Sequence, residues 1–79
     1  MNIGIKIMPR EVILDTQGRA IESSLKSNGF KVDSVRAGKF LEIQVPAEDV
    51  TTAKQKIEAM LTDGGLYNPL IEKYEIFMS

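Results

Sequence analysis

Residues 39–61, KFLEIQVPAEDVTTAKQKIEAML, change their apolar period midway, and that change decides the fold class. Leu41, Ile43 and Val45 are separated by Glu42 and Gln44, the period-2 pattern of a strand with one buried face. Pro46 then removes a ladder donor and breaks the strand. Glu48 and Asp49 stand where the positive end of a helix dipole favours acids, and Val50, Ala53, Ile57, Met60 and Leu61 follow on one face of a 3.6-residue period. A strand running straight into an amphipathic helix is thus expected here.

Upstream of this stretch the period is less regular. Phe30 and Val32 occupy even positions, whereas Val35, Ala37, Leu41, Ile43 and Val45 are odd, so residues 30–45 do not form one regular strand. Either a bulge near Asp33-Ser34 re-aims the side chains, or Gly38-Lys39 is a two-residue turn joining two strands. The turn is the favoured reading. Further towards the start, Ile3, Ile5 and Ile7 alternate with Gly4 and Lys6 as a strand ending at Pro9. Asp15 or Thr16 is placed to cap a helix over residues 17–27, with Ile21 and Leu25 on its buried stripe and Asn28-Gly29 as its stop. Downstream, Gly64-Gly65 ends the second helix and Asn68-Pro69 turns the chain into a last strand at residues 72–78, where Tyr74, Ile76 and Met78 alternate with Lys73, Glu75 and Phe77. The expected fold is α+β: a single β-α-β(β)-α-β domain over residues 1–79, ferredoxin-like in plan, with helices packed on one face of a mainly antiparallel sheet.

A chain of 79 residues holds one domain, with roughly 4 to 12 kcal/mol of stability at the usual per-residue scale. So small a core makes self-association an expectation. Ten Lys and Arg against eleven Asp and Glu leave a net charge of −1, which lacks the positive field of a nucleic-acid binder. No apolar run is long enough to span a membrane, and no secretory leader pattern is read at the start. The absence of Cys suits a reducing, cytoplasmic setting and removes disulfide and thiolate chemistry. The absence of His removes the commonest general base and metal ligand. The six glycines match neither common phosphate-cradling motif. No catalytic, cofactor-binding or metal-ligating residue is therefore expected.

Three clusters exceed what packing alone requires. Around Asp15, Gln17 and Gly18, a glycine in the first turn of a helix costs up to about 1 kcal/mol relative to Ala, so a close approach to that backbone is expected. Around Arg36, Gly38, Lys39 and Glu42, charges flank a tight backbone feature. Asn68 and Pro69 precede Ile71, Glu72, Tyr74, Glu75 and Ile76. All three are taken as candidate partner or subunit contacts.

In order, Asp15-x-Gln17-Gly18-x-Ala20-Ile21, Val35-Arg36-x-Gly38-Lys39-x-x-Glu42 and Leu66-x-Asn68-Pro69-x-Ile71-Glu72-x-Tyr74-Glu75-Ile76 resemble the signature of the PurS family, the small subunit of phosphoribosylformylglycinamidine synthase. Thr16 stands where that family often has proline. The resemblance implies a PurS-like fold and a subunit of purine biosynthesis with no active site of its own. It further implies a homodimer or higher oligomer that bridges a glutaminase subunit and a synthase subunit and assists ammonia transfer, with ATP and Mg used by the synthase. A stand-alone regulatory module binding a small ligand is the alternative that the same topology allows.

Overall fold

The computed structural model describes residues 1–46 and 48–78. In chain order they form β1 (Asn2–Pro9), α1 (Thr16–Ser27), β2 (Lys39–Gln44), α2 (Val50–Thr62) and β3 (Glu72–Met78). The three strands make one antiparallel sheet in the order β2-β1-β3, so the expected α+β plan is observed with β1 at the centre. The optional additional strand of the sequence reading is not among the described elements.

Register follows from the isoleucines. Ile3, Ile5 and Ile7 lie opposite Ile43, Leu41 and Lys39 on one side and Met78, Ile76 and Tyr74 on the other. All three isoleucines are buried with Val45 and with Ala53, Ile57 and Leu61 of α2. Burying one such side chain contributes about 1.5–3 kcal/mol, so this layer of α2 on the odd-numbered face is where the stability lies. Asp49 caps α2 by accepting the Thr52 N–H at 2.7 Å. Val50, expected on the buried stripe, remains largely exposed because it sits in the first turn, before the helix reaches the sheet core.

The opposite face carries a different solution. Phe40 and Phe77 meet with ring centroids 6.1 Å apart. Gly4 lies beneath, where a Cβ would press into the Phe40 ring. Lys6 and Glu75 pair beside them at 3.9 Å.

Residues 30–38 correct the sequence reading, since they form neither a bulged strand nor one arm of a hairpin. The chain bends at Asp33 and then runs without a turn through residue 38 into β2. Gly38 does not adopt positive φ, as the favoured turn required; among the described residues the positive-φ positions are Gly29 and Gly65. Gly38 is instead small because the Ile7 carbonyl and the Met8 sulfur crowd the position of a Cβ. Among the described residues, the helix side chains in the sheet core come from α2. Ile21 of α1 is 41% exposed, and among the described residues no hydrophobic side chain of α1 belongs to the sheet core or packs against it. The radius of gyration, 15.7 Å, exceeds the roughly 12 Å of a compact chain this size, and the molecule extends 49 × 25 × 14 Å.

Candidate functional site

The loop after β1 is the hub of the candidate residues. Asp15 accepts the Gly18 N–H at 2.8 Å as the cap of α1, and its second oxygen accepts the Ala37 N–H at 2.7 Å. One carboxylate thus ties the first cluster to the second. The hydrogen bond from Ala37, and then that from Gly18, holds the Asp15 carboxyl below its usual range. Gly18 has the close neighbour that its sequence position suggested, but the neighbour is intramolecular: a Cβ there would lie 2.7 Å from the Val35 carbonyl oxygen. Farther along α1, Glu22 accepts from Lys26 at 3.1 Å and from the Val35 N–H at 3.0 Å, which lower its pKa in that order.

Arg36 pairs with Glu11 at 3.3 Å and also donates to the Pro9 carbonyl. Glu11 in turn pairs with Lys73 of β3. The Lys73 hydrogen bond is the largest of the influences that bring the Glu11 carboxyl down to about 2. Gln17, Gly38 and Lys39 line a cleft of about 240 Å³ with Ile7, Pro9, Ala37 and Glu72. The third cluster joins from the other side. Arg10 donates through Nε to the Pro69 carbonyl at 3.0 Å and through its backbone N–H to Ile71 at 2.9 Å. Asn68 closes that loop by accepting from Leu70 at 3.0 Å, while its own N–H reaches Glu72 at 2.7 Å.

The structure therefore gathers Asp15, Gln17, Gly18, Arg36, Gly38, Lys39, Asn68 and Pro69 around the Pro9 end of β1. Glu42 stands apart, opposite Gly4 on the sheet. Glu11, Arg10, Glu22 and Lys73 were not read from the sequence. Glu11 meets partners 25 and 62 positions away, so no local pattern announces it, whereas Glu22 and Lys26 carry the i, i+4 signal of a helical pair. Around the junction Val12, Leu14 and Leu70 remain 90%, 63% and 83% exposed. Among the described residues no group of three or more acidic side chains converges as a metal site, and no helix is long and apolar enough to cross a membrane.

These features define a small antiparallel α+β domain whose polar clusters fasten backbone segments together and whose loop tips and sheet face present apolar side chains. The family profile described as "PurS: Phosphoribosylformylglycinamidine (FGAM) synthase" matches residues 2–79. The chain belongs to the PurS family. It is 38% identical over 71 residues to a phosphoribosylformylglycinamidine synthase subunit PurS from Synechocystis, covering 89% of this chain and 70% of that protein. Among solved structures it is similar to PurS of Thermus thermophilus, with 40% identity, a TM-score of 0.81 and coverage of 99% and 95% of the two chains. It is also similar to a chain in the structure of PurLQS from Thermotoga maritima, with 28% identity, a TM-score of 0.87 and coverage of 96% and 93%.

Proposed function

We propose that this chain is the non-catalytic small subunit of a phosphoribosylformylglycinamidine synthase, active in purine biosynthesis as part of a complex with a glutaminase and an ATP-dependent synthase. In that complex formylglycinamide ribonucleotide, ATP and glutamine give formylglycinamidine ribonucleotide, ADP, phosphate and glutamate. The observation that carries the reading is the likeness, over 96% of this chain, to a chain of an assembled PurLQS. Its role is to bridge the two partners and to keep ammonia transfer coupled. An elongated body with exposed Val12, Leu14 and Leu70 beside the joined clusters supports a part that spans between others. The contacts assigned to partners or to a second copy are Asp15, Gln17, Gly18, Arg36, Gly38, Lys39, Glu42, Asn68 and Pro69.

The test is a reconstitution of the three subunits with and without this one, with product measured from glutamine and from ammonium salt separately. Without the chain, glutamine-dependent synthesis collapses while ammonia-dependent synthesis persists, because holding two sites in register affects transfer and not the ligation chemistry. Loss of both activities would mean that the chain completes the synthase site itself. Full glutamine-dependent activity in its absence would overturn the bridging role.

A further inference from the structure

Residues 15–37 hold to one another more than to the rest of the chain. Ala37 donates its N–H to Asp15 at 2.7 Å and Val35 donates its own to Glu22 at 3.0 Å, so two carboxylates of the α1 side carry the extended segment beside the helix. Gly18 lets the Val35 carbonyl lie directly on the helix, where a Cβ would stand 2.7 Å from that oxygen. The Phe30 N–H closes the far end on the Leu25 carbonyl at 3.0 Å. Among the described residues, no hydrophobic side chain of this unit belongs to the sheet core or packs against it. Residues 15–37 are thus an arm beside the core, which fits the 49 Å long axis of so short a chain.

Charge ties this arm to the sheet. Arg36 donates to the Pro9 carbonyl at the end of β1 and pairs with Glu11 at 3.3 Å, and Glu11 pairs in turn with Lys73 of β3. The Glu11 and Lys73 side chains are exposed, and pairs of this kind hold weakly and are screened by salt. Two short connections join arm and body. Residues 11–13 turn, with the Ile13 N–H on the Arg10 carbonyl at 2.9 Å, and on the return Gly38 leads into β2. A residue without a Cβ accepts a change of backbone angle at small steric cost. At the joint lies the cleft of about 240 Å³, to which the arm contributes Gln17 and Ala37 and the body Ile7, Pro9, Lys39 and Glu72. A cleft lined from both sides of a joint is the geometry of hinge closure.

We infer that residues 15–37 swing as one rigid arm about these two connections, with Arg36 as the ionic latch that holds the joint closed. Glu11 receives the latch, and Lys73 fixes Glu11 in place, so the state of the joint is coupled to β3. Opening widens the cleft and leaves both the arm and the α2-covered sheet intact. The arm carries Asp15, Gln17, Gly18 and Arg36, whereas Lys39, Asn68 and Pro69 belong to the body, so the latch sets the spacing between two halves of the proposed contact surface. The hinge itself stands on the fold and not on that reading.

The chain has no Cys, so nitroxides attached at Ser23→Cys on α1 and Gln55→Cys on α2 report a single arm-to-body distance by double electron–electron resonance. Refolding the labelled chain with a large excess of unlabelled chain removes distances between copies. The parent is expected to give one narrow distance, and Arg36→Ala to lose it in favour of a broad distribution. Lys73→Ala should broaden the distribution in the same direction, as should about 1 M salt acting on the parent, where screening shortens to about 3 Å. Far-UV circular dichroism should stay unchanged throughout, which separates a swinging arm from a melted one. Unchanged distances in Arg36→Ala and in high salt overturn the inference, as does loss of helix signal in Arg36→Ala or a parent already as broad as that variant. Glu42→Ala, on the sheet away from the joint, should leave the narrow distance as it is, and equal broadening there overturns the role of Arg36. None of these outcomes touches the complex-subunit reading, which glutamine-dependent synthesis reports.

Discussion

Asp15 shows how much one short side chain organises. The sequence offered Asp15 or Thr16 as the cap of α1, and the structure uses Asp15; its second oxygen engages Ala37, 22 positions on, and that bond joins α1 to the segment leading into β2. Asp15→Ala removes both at once and is expected to lower the melting temperature by about 4–8 °C, the scale of losing a helix cap in a chain this size. Asp15→Asn keeps an acceptor and should lose less, as thermal melts followed by circular dichroism would show. The same carboxylates set the acid response. Their folded pKa values lie below the unfolded ones, 3.8 for Asp15 and 4.5 for Glu22 and Glu11, with Glu11 reaching about 2. A depressed pKa contributes stability that is complete above the unfolded value and is lost as pH falls through the folded value. Melting temperature should therefore stay level above about pH 5 and decline from about pH 4.5 towards 2, and Asp15→Ala should flatten part of that decline.

The two helices look alike in sequence and do different work. Both have an acidic cap and apolar residues at helical spacing, yet Ile57 of α2 is fully buried against the sheet while Ile21 of α1 is 41% exposed. Ile57→Ala should cost about 2–5 kcal/mol, the range for emptying a packed core position. Ile21→Ser should change folding in urea by no more than about 0.5 kcal/mol, as surface substitutions do. Equal losses from the two would mean that α1 is packed on the core after all. Periodicity reports that a helix has an apolar face. It does not report what the face meets, and here the loop after β1 carries α1 beyond the reach of the sheet.

The whole molecule is long for its length of chain, and much of its apolar surface is outside the core: Phe40, Phe77, Tyr74, Leu14 and Leu70 are all exposed. An assembled state that covers such surface is stabilised by mass action, so the melting temperature of the isolated chain should rise with protein concentration. Differential scanning calorimetry between about 10 and 500 µM measures it directly, and a midpoint independent of concentration would show that the chain is stable as a monomer.

Local patterns in this chain were sufficient for β1, α2, β3 and the α+β class, because each depends on residues within a turn or two of one another; they left the α1 cap open between Asp15 and Thr16, which the structure decides for Asp15. The ordered set of three motifs between residues 15 and 76 pointed to the family. Residues 30–38 were not legible, since their alternation is that of a strand while their backbone partners are the side chains of Asp15 and Glu22 on another element. Gly38 likewise looked like a turn residue and is a close-approach residue, crowded by Ile7 and Met8. The junction of Glu11 with Arg36 and Lys73 could be decided only by tertiary structure, because it depends on the centre strand bringing β2 and β3 to its same end.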